Sequence, residues 1–291
     1  MPPDRPNPPL HVVILAAQRP GVLDPLAAIH RVSHKCLIPL LGRPLIAHVL
    51  ETLATHRRVA EVSISIERSM TAQVMRVVAM LPVGHAPVHC VASAFNLADS
   101  VIAATEGRDG PTLITTADNA LLGAEAIDAM ADALEAGNDV AIAMARRASV
   151  LAAHPDGQRR FYRFADDEYS NCNLYALRGR HALAAAEIFR GGGQFARKAM
   201  RAAHAFGIVN LLLLRFRLIS LRGGLNRVSR RIGLSIAPVI LTDGRHAIDV
   251  DNLRTYEVVE ALLSRGALAA RDDDRAGHGS REHRVEAQNS G

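Results

Sequence analysis

His11-Val-Val-Ile-Leu-Ala-Ala-Gln-Arg-Pro-Gly21 is the stretch that decides the fold of this chain, because an apolar run ends in small residues and passes into a loop. Further on, Lys35-Cys-Leu-Ile-Pro-Leu-Leu-Gly-Arg-Pro-Leu-Ile46 carries a lysine and then the start of an amphipathic helix. A buried strand, a loop, a basic residue and a helix in this order are typical of α/β domains that bring a loop to a phosphate group. The beginning of the chain therefore predicts a fold and indicates an anionic ligand.

Strand-like and helical runs alternate through the first half of the chain. The predicted strands are Val12–Leu15, Val62–Ile66, Val88–Val91, Thr112–Thr115 and Val140–Ala145. The predicted helices are Pro44–Thr55, Thr71–Met80, Leu97–Thr105 and Ala124–Ala136. This alternation predicts a three-layer α/β/α sandwich with a mostly parallel, Rossmann-like central sheet. In such sheets, ligands bind beyond the carboxyl ends of the strands.

The second half of the chain has a different pattern. Strand-like runs are predicted at Arg159–Phe164, Asn171–Leu177, Ile236–Leu241 and Ala247–Val250. Helices are predicted at His181–Phe189, Gln194–Ala205, Ile208–Leu221 and Leu253–Leu263. We predict one domain over residues 10–268 with a helical insertion at about 180–232. Residues 1–9 and 269–291 lack apolar periodicity, so disordered tails are expected there.

Composition narrows the class of protein. The chain has 291 residues, 49% of them hydrophobic, which is enough for one large domain or two small ones. A net charge of +5 suits an anionic ligand without distinguishing a nucleotide from a nucleic acid or a membrane surface. The three cysteines are widely spaced, which predicts neither a disulfide framework nor a zinc site. Since neither a signal peptide nor a spanning apolar run is apparent, we expect a cytoplasmic location.

Four motifs succeed one another along the chain. They are Leu15-Ala-Ala, Lys35 followed by Pro39-Leu-Leu-Gly-Arg-Pro-Leu-Ile46, Thr115-Thr-Ala-Asp118-Asn-Ala-Leu-Leu122, and Ala247-Ile-Asp249-Val-Asp251-Asn-Leu253. Over roughly residues 10–265 the chain resembles the sugar-nucleotide and cofactor nucleotidyltransferases, in particular the molybdenum-cofactor guanylyltransferase-like group. The resemblance implies a glycosyltransferase-A-like fold. It also implies transfer of an NMP group from an NTP to a phosphorylated small-molecule acceptor, with release of pyrophosphate and magnesium as the usual metal.

The first loop departs from the pattern of the family, which usually has the form Leu-x-x-Gly-x-Gly-x-Arg. Gln18 and Pro20 occupy the two glycine positions here, and the lysine arrives about seven residues late. Glycine lets the backbone approach phosphates closely, so a degenerate, non-catalytic nucleotide-binding protein is one alternative. A metal-dependent glycosyltransferase on the same scaffold, with Asp249 and Asp251 in its metal motif, is the other.

The resemblance also implies which residues lie on the nucleotide side. Lys35 is expected to hold the phosphates with help from Arg19, because two anionic reactants need positive charge where negative charge develops. The other predicted nucleotide-binding residues are Leu15, Ala16, Ala17, Gly21 and Ser100. Helix capping is the alternative role for Ser100, which stands near the start of the third helix. GTP and CTP are the favoured nucleotides.

Three aspartates are the predicted metal ligands. Asp118 comes directly after a buried strand, where a carboxylate is costly unless a cation compensates it. Asp249 and Asp251 alternate along a strand-like run, so we expect both on one face. Carboxylate and phosphate oxygens suit Mg²⁺, with Mn²⁺ as the alternative. Helix capping is the competing explanation for Asp118 and for Asp251.

The acceptor side is less clearly marked. Asn171, Asn173 and Lys198 are predicted to bind the acceptor, the two amides because they both donate and accept hydrogen bonds. Segment 208–231 is rich in leucine and arginine, so it is expected to be either a core helix or a peripheral contact at the inner face of the membrane. No nucleic-acid partner is expected, since basic and aromatic residues do not interleave. The nucleobase, the acceptor and the oligomeric state stay open.

Overall fold

A computed structural model describes residues 9–18, 21–189, 213 and 215–266, with only the backbone described at 186–189. The strands are β1 (Leu10–Leu15), β2 (Pro39–Leu40), β3 (Arg43–Pro44), β4 (Val59–Ile66), β5 (Val88–Ala92), β6 (Thr112–Thr116), β7 (Val140–Arg146), β8 (Tyr162–Arg163), β9 (Glu168–Leu177) and β10 (Ile236–Leu241). The helices are α1 (Pro25–Ile29), α2 (Leu45–Ala54), α3 (Thr71–Val78), α4 (Leu97–Ala104), α5 (Ala124–Glu135), α6 (Arg147–Ala153), α7 (Leu221–Ile232) and α8 (253–266). Short 3₁₀ turns lie at Lys35–Leu37, Arg68–Met70 and Gly244–Ala247, and a ten-residue 3₁₀ segment lies at Arg180–Phe189.

Seven strands form a sheet in the order β10-β7-β9-β6-β1-β4-β5, and β8 extends it by pairing with β9. Every neighbouring pair is parallel except those that include β9, which runs antiparallel to β6, β7 and β8. The predicted α/β/α sandwich with a mostly parallel sheet is therefore confirmed. The two-residue strands β2 and β3 form a separate small hairpin before α2.

Both faces of the sheet are buried, as β1 shows. Val12 and Ile14 point into the larger core, while Val13 points into a smaller core on the opposite face. On the larger side, α2 contributes Ile46 and Leu50, which are fully buried. Because both faces are covered, the open part of the sheet is its carboxyl edge, where the loops after β1 and β6 emerge.

The antiparallel direction of β9 brings its first residues to that same edge. The register between β7 and β9 shifts between Ile142 and Met144, which face Tyr175 and Asn171. Between these two pairs, residues 172–174 of β9 lie opposite the single residue Ala143 of β7, which is the signature of a bulge. Asn173 lies inside it with φ +47°, in the left-handed region. The bulge places an amide side chain at the edge where ligands bind.

The predicted strand at Ala247–Val250 is wrong. Gly244–Ala247 forms a 3₁₀ turn, and residues 248–250 pair with none of the described strands. Gly244 lets this turn pack closely against the backbone of α6, because a Cβ at residue 244 would lie 2.2 Å from the carbonyl oxygen of Ser149. Ile248 and Val250 are still buried in the larger core, so the alternation that suggested a strand comes from burial alone.

The predicted insertion is described only in part. The predicted helix Gln194–Ala205 lies outside the described residues, as does most of Ile208–Leu221. Here α7 begins at Leu221, where the sequence predicted the end of a helix, because Ser220 caps α7 and accepts from the amide of Gly223. Leu221 and Val228 of α7 are buried against the sheet, which favours the core-helix interpretation for this part of segment 208–231. Within the described ranges, no helix has the length and hydropathy needed to cross a bilayer.

Candidate active site

One lysine joins two distant carboxylates at the carboxyl edge of the sheet. Lys35, in the 3₁₀ turn that ends the long loop after β1, donates from Nζ to the carboxylate of Asp118, which lies just after β6. The same Nζ donates to Oδ1 of Asp251 at 2.8 Å, just before α8. Burial alone lowers the pKa of Lys35, but the charges of Asp118 and Asp251 outweigh it and hold the pKa above its ordinary value. Lys35 is therefore a fixed positive charge and not a base.

Asp249 is the buried member of the group. Its Oδ2 accepts from Nδ2 of Asn173 at 2.6 Å, while its Oδ1 is buried and has no hydrogen-bond partner. Burial raises its pKa, and the negative charges of Asp118 and Asp251 raise it further, against the opposing effect of Lys35. A buried carboxylate oxygen without a donor is costly, so it is a ligand atom that a cation would satisfy.

The charge balance of this group fits a divalent cation. Three carboxylates surround one ammonium, which leaves a surplus of two negative charges when all are ionised. Oxygen donors of this kind are the ones that Mg²⁺ prefers. The orphaned Oδ1 of Asp249 and this surplus both indicate that the residues present can hold such an ion.

A second group of potential ligands, made of Glu125, Asp243 and His246, is already satisfied. Nε of Arg245 donates to Oδ2 of Asp243 at 2.7 Å, and Nη2 of Arg245 lies 2.6 Å from the same oxygen. Nε2 of His246 is 2.8 Å from Oε1 of Glu125. A guanidinium at this place disfavours a metal ion, so the three aspartates remain the better candidate.

Neither Asp118 nor Asp251 serves as a helix cap. Gly123 is the residue at the N-cap of α5, five positions after Asp118. At α8, Oδ1 of Asn252 accepts from the amide of Thr255 at 3.3 Å, while the carboxylate of Asp251 turns to Lys35. The capping alternatives for Asp118 and Asp251 are therefore wrong.

Side-chain hydrogen bonds hold the glycine-poor loop after β1. The amide of Gln18 donates to Oε1 of Glu67 at 2.8 Å, and its Nε2 donates to the carbonyl of Ser33 at 2.8 Å. Gly21 has φ +74°, a conformation that favours glycine. Gln18 thus ties the start of the loop to a residue two positions before Lys35. Arg19 and Pro20 lie outside the described residues.

A cleft of about 1,090 Å³ opens beside these groups. Its lining includes Leu15 from β1, Thr116 from β6, Asn171 and Tyr175 from β9, and the two aspartates near α8. Drug-sized ligands occupy pockets of ~300–1,000 Å³, so this volume accommodates a nucleotide together with a second small molecule. Of the predicted nucleotide contacts, Leu15 lines the cleft and Ala17 is exposed beside it, whereas the amide of Ala16 donates to the carbonyl of Ser65 at 3.0 Å.

Ser100 lies in α4 next to the cleft without opening into it. Leu97, Ala98 and Val101 line the cleft, whereas Ser100 is buried and its Oγ accepts from the amide of Ala94 at 3.0 Å. The N-cap of α4 is Asn96, which accepts from the amide of Asp99, so the capping alternative for Ser100 is wrong. The contact made by Ser100 holds the β5–α4 loop.

The asparagines of β9 differ in their contacts. Asn171 donates from Nδ2 to Oδ1 of Asn173 at 3.1 Å and to the phenolic oxygen of Tyr175, and all three line the cleft. Asn173 in turn donates to Asp249, so its side chain orients a carboxylate. Lys198, the third predicted acceptor residue, lies outside the described residues.

Two supporting residues had no signal in the sequence. The hydroxyl of Thr116 donates to Oδ1 of Asp118. Asn119 is fully buried, and its Nδ2 donates to the carbonyl of Cys172 at 3.1 Å, which ties the loop after β6 to β9. Both residues stand within the third sequence motif, but nothing in the motif distinguished them, and only the contacts reveal the roles of Thr116 and Asn119.

A lysine and three carboxylates thus lie at the carboxyl edge of a mostly parallel sheet, beside a cleft with room for two small ligands. The family model of the MobA-like NTP transferase domain matches residues 12–204, about two thirds of the chain. The chain belongs to this family and is a nucleotidyltransferase. Enzymes of this family generally use a divalent metal ion.

Solved structures support the same fold. A hypothetical transferase from Thermus thermophilus has 20% identity and a TM-score of 0.68, over 86% of this chain and 99% of that one. The 4-diphosphocytidyl-2C-methyl-D-erythritol synthase of Anaerococcus prevotii has 10% identity and a TM-score of 0.54, over 89% and 99%. A CMP:2-keto-3-deoxy-manno-octonic acid synthetase complexed with CTP has 15% identity and a TM-score of 0.54, over 89% and 99%. No protein with a curated description matches the chain significantly.

Proposed function

We propose that this nucleotidyltransferase moves an NMP group from GTP or CTP to the phosphate of a small acceptor and releases pyrophosphate. The observation that carries the proposal is the Lys35 ammonium bound to Asp118 and Asp251, next to the unpartnered Oδ1 of Asp249, at the side of a large cleft. The names of two similar structures refer to cytidine nucleotides, which supports CTP. The resemblance to the molybdenum-cofactor group supports GTP.

Asp118, Asp249 and Asp251 are the residues that would hold Mg²⁺, with Mn²⁺ as the alternative. When bound, the ion supplies positive charge to the triphosphate and orients it for in-line displacement. Asp249 brings a buried oxygen already oriented through its bond to Asn173. Asp251 is 63% exposed at its side chain, so it can exchange its contact with Lys35 for another partner.

Lys35 supplies the remaining positive charge. Because its pKa is held above the ordinary lysine value, it keeps its proton when the phosphates arrive. Its role is to stabilise the negative charge that develops when one phosphate attacks another. The acceptor phosphate is ionised at neutral pH, so no side chain needs to remove a proton, and positioning supplies most of the catalysis.

A pyrophosphate-release assay on the full chain tests the proposal. Each of the four NTPs is combined with Mg²⁺ and with phosphorylated acceptors, including molybdopterin, cyclitol phosphates and sugar or polyol phosphates. We expect release with GTP or CTP that depends on one acceptor class and is lost in Asp249→Asn. Glu106→Gln is the matched control, because that carboxylate is exposed at the end of α4, away from the lining of the cleft.

Two outcomes contradict the proposal. Sugar transfer from an NDP-sugar without pyrophosphate release identifies a glycosyltransferase. Nucleotide binding without turnover across the whole panel identifies a non-catalytic binding protein.

A further inference from the structure

Four arginines line one end of the cleft. Arg147 begins α6, Arg159 and Arg160 lie in the loop after it, and Arg163 belongs to β8. All four are exposed, so their charge reaches a ligand in the cleft. None of these residues belongs to the lysine and aspartate group described above.

Carboxylates neutralise only part of this charge. Glu168 lies 3.1 Å from Arg163, 3.4 Å from Arg147 and 3.8 Å from Arg217, so one carboxylate serves three guanidiniums. Arg159 lies 3.8 Å from Asp156, at the outer limit of an ion pair between exposed groups. In the described part of the chain, no carboxylate lies within ion-pair distance of Arg160. The arginine-lined end therefore keeps a surplus of positive charge.

The arginines are separated from the reactive group along β9. Arg163 pairs with Glu168, and Asn173, which holds Asp249, lies five residues further along the same strand. At ~3.3 Å per residue, the two places are at most roughly 16 Å apart along the strand, and the bulge at Asn173 shortens this distance. A phosphate held between Lys35 and the aspartates lies several residues along β9 from these arginines, so they remain available to a second anionic group of the same molecule.

Guanidinium groups suit phosphate and carboxylate, because their planar N–H donors match two oxygens at once. The guanidinium of Arg147 also lies over the ring of Phe161, 5.8 Å from its centroid, at the outer range of a cation–π contact. The cleft therefore has a cationic end whose side chains suit an anion.

We propose that the acceptor carries a second anionic group, a phosphate or a carboxylate, in addition to the phosphate that reacts, and that Arg147, Arg160 and Arg163 bind it. This inference rests on the proposed function, because it names the acceptor class of the same cleft. It restricts the acceptors to molecules whose two anionic groups are separated by the length of a sugar or more.

Calorimetric binding to the full chain tests the inference without turnover. The probes are fructose 1,6-bisphosphate and fructose 6-phosphate, which differ by one phosphate, in Mg²⁺ and without nucleotide. We expect the bisphosphate to bind at least about tenfold more tightly, as one charge-assisted contact provides. Arg160→Ala and Arg163→Ala should each reduce that ratio to about twofold or less. Arg57→Ala, which removes an exposed arginine outside the cleft, should leave it unchanged.

Equal affinity for the two sugars, an unchanged ratio in both arginine variants, or an equal loss in Arg57→Ala would each overturn the inference. Its failure is separable from failure of the proposed function. If NTP turnover occurs but the two sugar phosphates bind with equal affinity, only the proposal of a second anionic group is wrong. If the ratio depends on Arg160 but no NTP is turned over, the anion subsite stands and nucleotidyl transfer to this acceptor class is wrong.

Discussion

Lys35 illustrates how one residue sets the charge of a site. Its ammonium contacts two carboxylates from segments that are 83 and 216 residues away in sequence. Without it, Asp118, Asp249 and Asp251 face one another with no positive side chain among the described residues that they contact. Under the proposed function, the same charge stabilises an incoming triphosphate.

Replacing Lys35 by alanine is expected to lower kcat/KM for pyrophosphate release by roughly 10²–10³, the loss seen when one transition-state electrostatic contact is removed. The fold should survive, because the side chain lies at the edge of the sheet. Steady-state kinetics with circular dichroism measures both. Arg57→Ala is the control for removal of one positive charge. A rate within threefold of wild type would exclude Lys35 from the mechanism.

Asn173 combines an unusual backbone conformation with a contact to a carboxylate. Asn173→Gly keeps the left-handed backbone and removes the amide, so its loss of stability should be that of one unpartnered buried acceptor, about 1–3 kcal/mol. Asn173→Ala removes the amide and adds strain of about 1 kcal/mol in the free energy of unfolding. Both variants should need more Mg²⁺ for half-maximal activity, because Asp249 loses its orienting donor. Chemical denaturation and metal titration separate the two effects, and an unchanged Mg²⁺ requirement in both would refute the positioning role.

At the scale of elements, the amino ends of β1, β4 and β5 carry a buried polar network far from the cleft. Nε2 of His11 lies 2.8 Å from Oγ of Ser63, which is also 2.8 Å from Nε2 of His89. Burial and, to a smaller extent, the nearby charge of Arg108 lower the pKa of His11 to about 4, against the opposing effect of Glu61. The folded sheet therefore keeps His11 neutral.

This network predicts a pH dependence of stability. Between pH 6.5 and about 4 the unfolded chain protonates His11 while the folded chain does not, so the contribution of His11 is complete above pH 6.5 and is lost as the pH falls. The loss is at most about 3 kcal/mol for a shift of this size. Urea unfolding of wild type and His11→Gln at pH 7, 5.5 and 4.5 checks it. The variant should lose less stability on acidification, and parallel curves for the two proteins would contradict the assignment.

For the whole molecule, the site combines residues inside the family match with residues that lie after it. The match covers residues 12–204, yet Asp249 and Asp251 lie beyond it. Helix α8 anchors this region, since Val258 and Val259 are buried in the larger core and the hydroxyl of Tyr256 donates to the carbonyl of Pro39 at 2.8 Å. A cation held by Asp118 and Asp249 would therefore link the loop after β6 to the segment that leads into α8.

Metal binding is accordingly expected to stabilise the entire fold. At Mg²⁺ concentrations about 100 times its Kd, linkage adds about 2.7 kcal/mol to the free energy of unfolding, or roughly 5 °C in Tm for a chain of this size. In Asp249→Asn the Mg²⁺-dependent rise should disappear, while Tm without metal stays at or above the wild-type value because the negative charge of a buried carboxylate is removed. Thermal scans with Mg²⁺ or with chelator measure this. An equal Mg²⁺ effect in Asp249→Asn would place the ion elsewhere.

Local patterns in the sequence determined the elements of the sheet. Ile236–Leu241 is observed as predicted, and Val88 and Thr112 begin strands where apolar runs predicted them. These strands were predictable because burial requires apolar side chains at regular spacings within a few consecutive residues. The candidate ligand Asp118 was visible for a similar reason, as a carboxylate directly after a buried strand. The short helix α6, by contrast, was missed, since its pattern spans too few residues.

Tertiary structure alone decided how the site is assembled. Gln18 binds Glu67 across 49 residues, Asn173 reaches Asp249 through a bulge in β9, and Asp251 meets Lys35 although no strand carries it there. The excess of arginines over Glu168 likewise arises from three segments that fold together. Hydrogen bonds and ion pairs form between groups that are close in space. The sequence shows the spacing of residues that are close along the chain, but it does not show which residues from distant segments will be in contact.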